Sequence, residues 1–179
     1  IMKKKIDVFE HMGEILKGVK KGVLITGKAD DRVNSMTISW GMVGIEWGKP
    51  VFITFIRESR FTRSLIEKNG EFTVNIPIDD SAKDILAFCG SKSGRDVDKA
   101  KELGLTYEEP EMISVPGIKE LPLTLECRVV YKQTQDTSAM TEENRDKFYP
   151  QNVDSLFTGS NRDTHVAYYG EIVNAYVIE

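Results

Sequence analysis

Apolar positions recur along this chain with two different periods. Phe9, Met12, Leu16 and Val19, with Ile15 beside them, fall three or four residues apart. This spacing returns to one face of an α-helix and predicts a helix from about Asp7 to Val19, with Asp7 as its cap. The period then shortens. Val23–Thr26 predicts a strand ending at Gly27, Asp30-Asp31-Arg32 a turn, and Val33–Gly41 a second strand, so that the two form a hairpin. Gly41 to Trp47 continues the second strand with bends at Gly41 and Gly44, and Gly48-Lys49-Pro50 is the next turn. Val51–Ile56 is an apolar strand that runs into a helix through Arg63, Leu65, Ile66 and Lys68, capped by Ser59 and ended by Gly70.

Phe72–Ile76 predicts a strand stopped by Pro77. A short helix carries Ala82, Ile85, Leu86 and Cys89, with Asp80 or Ser81 as cap and Gly90 as terminator. After the polar loop Ser91–Arg95, Asp96 caps a third helix that carries Val97, Ala100 and Leu103 and closes at Gly104. Leu121–Gln133 is the longest strand: Leu123, Leu125 and Cys127 alternate with Thr124, Glu126 and Arg128, which predicts one solvated face. Residues 135–163 lack strong periodicity and form a long excursion with room for one helix. His165–Ile178 is a final strand, bent or bulged at Gly170. About six strands with short interrupting helices, without βαβ alternation or a G-x-G-x-x-G fingerprint, disfavour a doubly wound sheet. The pattern fits a mainly β protein, an antiparallel Greek-key barrel with short peripheral helices, in a single domain spanning 1–179.

Two stretches carry candidate chemistry. Alternation in the second strand places Val33, Ser35, Thr37 and Ser39 on one face and Asn34, Met36, Ile38 and Trp40 on the other. Three hydroxyls in a row suit a planar polar ligand lying along a sheet edge; they equally suit a half-exposed strand with small polar residues outward. At the strand-to-helix turn, Arg57 and Arg60 flank Ser59, and Thr62 stands where a capping box would place an acid. A helix start with free amides, two hydroxyls and two guanidiniums is an anion site; the alternative is a capped surface turn with solvated arginines. Asn75 is polar in an apolar run, and either bonds backbone at a sheet end or faces a ligand. His165 is the one histidine outside the N-terminal helix. Cys89, on an apolar helical stripe, is a small core residue rather than a reactive thiol.

Taken in order, Asn34–Gly41, Trp47–Pro50, Arg57–Thr62, Gly70–Pro77, Cys89–Lys99 and Tyr168–Val173 resemble the flavin reductase-like family. These are FMN-binding split-barrel proteins, flavoredoxin among them, and the likeness covers nearly the whole chain. It implies a split barrel, bound FMN and a homodimer, with the 135–163 excursion and its Phe148 and Tyr149 as a possible exchanged arm. On that reading the flavin ring takes amide donors from the Ser35–Ser39 strand, with hydroxyls of Ser35, Thr37 and Ser39 available for ring or ribityl. Asn34, Met36, Ile38 and Trp40 sit on the same strand, with Met36 and Trp40 packing the barrel. The phosphate falls to Arg57, Ser59, Arg60 and Thr62, and Asn75 is a further cofactor candidate. Hydride chemistry on a flavin needs no protein nucleophile, so His165 alone stands as a catalytic candidate.

Composition narrows the partners. A formal net charge of −4 and no basic block argue against nucleic acid, and no apolar run is long enough to span a membrane. The basic start, Met2–Lys5, lacks an apolar signal core, so the expected location is cytoplasmic. Two cysteines and two histidines without ligand spacing predict no metal. Two functions compete. One is an FMN enzyme that takes electrons from NADH or NADPH and reduces flavin or another acceptor. The other is an FMN electron carrier fed by a redox protein partner. A relative of the pyridoxamine-phosphate-oxidase barrels, using FMN with oxygen, is a weaker third.

Overall fold

The computed structural model describes residues 1–154 and 162–179. In chain order it contains β1 (Lys3–Lys5), α1 (Met12–Lys21), β2 (Val23–Ala29), β3 (Arg32–Ile38), β4 (Gly41–Glu46) and β5 (Lys49–Arg57). These are followed by α2 (Phe61–Asn69), β6 (Glu71–Ile76), α3 (Lys83–Ser91), α4 (Lys99–Leu103), β7 (Tyr107–Glu108) and β8 (Gly117–Ile118). The chain ends with β9 (Leu123–Thr134), α5 (Glu142–Phe148) and β10 (His165–Ile178). The main sheet runs β3-β2-β6-β9-β10-β5-β4, with β1 added to β10, and its pairs are antiparallel. This is the expected split barrel.

β2 and β3 form the predicted hairpin, turning at Asp30, whose φ of 55° lies in the left-handed region that Asp tolerates. The next expectation fails. Gly41–Glu46 does not prolong β3; it pairs with β5 at the opposite edge of the sheet. Two strands consecutive in sequence thus become the two ends of the sheet, and the chain crosses the gap at Ser39-Trp40.

The apolar faces enclose a barrel core of Ile15 and Val19 from α1 with Val23, Ile25, Met36, Ile38, Phe52, Ile56, Phe72, Val74, Leu125 and Tyr168. A second cluster, Leu24, Ala82, Cys89, Ile118 and Leu121, lies on the outer face of the sheet. That outer layer corrects the reading of β9 as half-solvated. Glu126 is fully buried, its carboxylate accepting from the amides of Glu111 (3.0 Å) and Met112 (2.7 Å), while Arg128 stays exposed. The segment preceding β9 folds back over it, which strand periodicity cannot show.

Caps also move. Asp7 accepts from Phe9 N in a 3-10 turn ahead of α1, Asp79 caps the turn before α3, and Asp98, not Asp96, caps α4. The 135–163 excursion folds onto its own chain: Thr141 caps α5, and Tyr149 is buried at 5% exposure. Burial of Tyr149 therefore needs no exchanged arm. Residues 155–161 of the excursion lie outside the described residues.

β10 is bulged between Tyr169 and Gly170 as the glycine predicts. A Cβ at Gly170 would lie 2.5 Å from the Phe72 ring and 2.8 Å from Cys127 Cβ, both wholly buried. Gly170→Ala is therefore expected to lower stability by about 1–3 kcal/mol, the cost of overpacking a filled core. A urea midpoint unchanged from the parent would show that the core has slack the packing denies.

Candidate functional site

β3 has a face on each side of the sheet, and they do different things. Inward, Met36 and Ile38 join the barrel core. Outward, two of the three hydroxyls are already engaged. Ser35 Oγ shares a 2.7 Å hydrogen bond with Thr26 Oγ1, and Thr37 Oγ1 donates to Leu86 O at 2.6 Å. These bonds correct the expected use of Ser35 and Thr37 as ring or ribityl donors: the hydroxyl face lies against β2 and α3. Asn75 is corrected in the same way. It is fully buried, accepts from Thr26 Oγ1 at 2.6 Å and bonds Thr73, so its amide serves the outer layer.

The gap between the sheet's ends is a crevice with two lobes that share Met36 and Arg60. The first, about 260 Å³, is walled by Met36–Trp40 of β3 and its crossing, by Phe55 and Arg57 of β5, by Arg60 and by His165. The second, about 220 Å³, is lined by Asn34, Ser59, Arg60, Phe61, Thr62, Ser91, Lys92, Ser93, Arg95 and Lys99. Trp40, expected inside the barrel, is 41% exposed at the crossing. It stands edge-on to Phe148 at 5.1 Å and 5.1 Å from the His165 ring.

The second lobe gathers hydroxyls and cations around a helix start. α2 begins one residue later than expected: Arg60, not Ser59, is the N-cap, no side chain bonds there, and no acid occupies the first turn. The start of α2 therefore presents its amides to the lobe. Asn34 Nδ2 donates to Thr62 Oγ1 at 2.9 Å, which leaves the Thr62 proton for another acceptor. The 91–95 loop is pinned across the lobe by Arg32 Nη2 to Gly94 O (2.6 Å) and Arg95 Nη1 to Ser59 O (3.0 Å). Gly94 permits this approach, since a Cβ there would lie 2.3 Å from Asn34 Oδ1.

Lys99 was not among the sequence candidates. It is 5% exposed, and its ammonium donates to Ser35 O (2.7 Å) and Cys89 O (3.0 Å). Burial lowers its pKa, a neighbouring Arg60 adding to the effect. Arg95 was also passed over. A signal for Arg95 was present in the hydroxyl- and cation-rich run Ser91-Lys92-Ser93-Gly94-Arg95, which the strand and helix periods treat only as a connection.

Arg57 does not reach the second lobe. Its guanidinium donates to Asp163 O (2.5 Å) and Phe148 O (3.2 Å) and stacks 5.2 Å from the Tyr149 ring. It ties the excursion to β5 and contributes positive charge to the first lobe. His165, 7% exposed, shares a 2.7 Å hydrogen bond between Nδ1 and Tyr149 Oη, which also donates to Gln135 Oε1 at 3.0 Å. Burial first, then the cations Arg57 and Arg60, push the His165 pKa down to about 4. The imidazole is neutral at ordinary pH and serves as a hydrogen-bonding group, not a charge.

Comparisons with known proteins agree with this architecture. The family model for the flavin reductase like domain matches residues 16–179. An uncharacterized protein of Archaeoglobus fulgidus is 35% identical over 120 residues, which is 67% of this chain and 66% of that protein. The match thus spans just under two thirds of that relative's length. Among solved structures, flavoredoxin from Methanosarcina acetivorans superposes with a TM-score of 0.64 at 26% identity, covering 88% of this chain and 68% of that one. Flavoredoxin of Desulfovibrio vulgaris gives 0.65 at 22% identity, covering 88% and 69%. With nearly its whole length matched, and with a split barrel whose gap carries a two-lobed crevice, the chain belongs to the flavin reductase like family.

Proposed function

We propose that this protein holds FMN in the crevice and uses it to reduce flavin or another acceptor with electrons from NADH or NADPH. The observation that carries the reading is the contrast between joined lobes. One offers Arg60, Arg95, Lys92, Lys99, three serines, Thr62 and an uncapped helix start; the other offers Met36, Ile38, Trp40 and Phe55. A phosphate dianion and a flat conjugated ring are the two chemistries those lobes separately fit. FMN, when bound, supplies hydride chemistry; the chain supplies position and field. Arg60 borders both lobes and orients the phosphate end relative to the ring end. Arg57, fixed by two carbonyls, and Arg60 keep the ring lobe positive, which favours electron uptake by its occupant. Neutral His165, held by Tyr149, offers a hydrogen bond at the lobe wall without charge repulsion.

The test is anaerobic. The purified protein is expected to bind FMN at least tenfold more tightly than riboflavin, because charge-assisted bonds contribute about 1.5–3 kcal/mol each. Arg60→Ala should erase most of that preference with little change in the urea midpoint. NADH or NADPH should then bleach the bound FMN within seconds without another protein. Equal affinities for the two flavins would remove the phosphate assignment. Bleaching by dithionite but by neither nucleotide would make the protein a carrier fed by a protein partner.

The lowered His165 pKa has a stability consequence. Below about pH 6.5 the unfolded chain takes up a proton that the native imidazole refuses until about pH 4. Stability should therefore fall as pH drops through that interval, by about 3 kcal/mol from this group. His165→Asn should flatten the midpoint-versus-pH curve between those values. Parallel curves for parent and variant would mean that the imidazole is not held neutral.

The end strand β4 and its surroundings expose Met42, Ile45, Trp47 and Tyr131. An apolar patch beside an unpaired strand edge is the surface that supports the proposed homodimer. Sedimentation should show a dimer at micromolar concentration that Ile45→Lys converts to monomer; a monomeric parent would contradict it.

A further inference from the structure

The 91–95 loop is held across the second lobe by more than its own turn. Arg32, the first residue of β3, is not a wall of the lobe, yet its Nη2 donates to Gly94 O at 2.6 Å. Arg95, within the loop, donates from Nη1 to Ser59 O at 3.0 Å. The loop is thereby tied to β3 on one side and to the turn before α2 on the other. Both guanidiniums also lie over the ring of Phe61, 4.6 and 5.4 Å from its centroid. Phe61 is the first residue of α2 and lines the lobe. One aromatic face at the helix start thus gathers two cations from two different elements.

Under this clasp the loop packs tightly. Gly94 is buried, and a Cβ there would lie 2.3 Å from Asn34 Oδ1 and 2.7 Å from the Phe61 ring, so nothing passes between them. The Arg95 amide donates to Ser93 Oγ at 3.2 Å, and the amides of Asp96 and Val97 donate to Ser93 O, which makes the loop a bonded turn. The lobe behind it holds about 220 Å³. That is below the roughly 300–1,000 Å³ that drug-sized ligands occupy. A phosphate with the end of a polyol chain fits this space; a nucleoside beside them does not.

We propose that Arg32, Phe61 and Arg95 form a latch that admits flavins ending in a phosphate monoester and rejects flavins extended by a nucleotide, such as FAD. The proposal rests on the FMN reading of the crevice. A second substituent on the phosphate must either part the loop from Asn34 or crowd back into the ring lobe. Parting the loop means that Arg32 releases Gly94 O and that Gly94 leaves its contact with Asn34. Arg32 is a positioning residue here: it touches the loop and not the ligand.

Calorimetric titration of the full chain, freed of flavin, with FMN and with FAD tests this. The parent should bind FMN at least about tenfold more tightly than FAD, because FAD must break charge-assisted loop contacts to enter. Arg32→Ala should lower that ratio at least about threefold through tighter FAD binding, with FMN affinity within about twofold of the parent. Gly94→Ala, which forces the loop off Asn34 by a different route, should lower the ratio in the same direction. Without any flavin, the amides of Arg95, Asp96 and Val97 should exchange with solvent at least about fivefold faster in Arg32→Ala at an unchanged urea midpoint. Equal affinity of the parent for FMN and FAD overturns the latch and leaves the FMN reading standing. The latch also falls if Arg32→Ala weakens both flavins alike, as loss of a merely structural arginine would, or if its loop amides exchange as in the parent. A parent that binds neither flavin overturns the FMN reading and the latch together.

Discussion

The crossing at Ser39-Trp40 is the constraint on which the rest depends. β3 and β4 follow one another in sequence, yet they stand at opposite ends of the sheet. A sheet whose ends do not pair leaves backbone groups and apolar side chains facing a gap, and each must find a partner. At the β3 end the solution is a charged one. Ser35 O accepts from the buried Lys99 ammonium, and Lys99 is held in turn by Cys89 O on α3. The strand edge, two helices and the anion lobe are thereby joined through one side chain.

That arrangement explains why the lobes have opposite chemistry. The inner face of β3 extends the barrel core into the gap, so the first lobe inherits methionine, isoleucine and tryptophan. The second lobe is made by elements outside the barrel: the start of α2, the 91–95 loop and the start of α4. Their hydroxyls and cations converge because Gly94 lets the loop close on Asn34. An apolar wall beside a ring of donors follows from how the gap is bounded, and is the contrast on which the proposed FMN site rests.

The excursion between β9 and β10 adds a third component. Arg57 holds it by two carbonyls, and Tyr149 inserts between that guanidinium and His165. Phe148 reaches Trp40 at the crossing, so the excursion forms one side of a cavity whose other side is the barrel. The buried histidine is neutral first because burial disfavours its charged form, and the same arginine that anchors the excursion adds to the effect. Anchoring and electrostatic tuning are one interaction seen from two residues.

Short-range pattern determined much of this by itself. The β2–β3 hairpin, the α2 helix ending at Gly70, the long β9 and the bulge at Gly170 all follow from alternation, helical spacing and glycine position. The order of motifs from Asn34 to Val173 identified the family, and the Arg57–Thr62 turn marked the strand-to-helix start that borders the crevice. What the sequence did not determine was which side of β3 meets the ligand. Alternation assigns residues to two faces but carries no sign, and both faces here are covered. The hydroxyls of Ser35 and Thr37 went to Thr26 and Leu86, and Asn75 went to Thr26 and Thr73. Lys99 and Arg95 entered the site, and Arg57 left the phosphate lobe for the excursion, through contacts between residues dozens of positions apart. Only tertiary structure decides such pairings, because a buried donor takes whichever acceptor the folded backbone brings within about 3 Å.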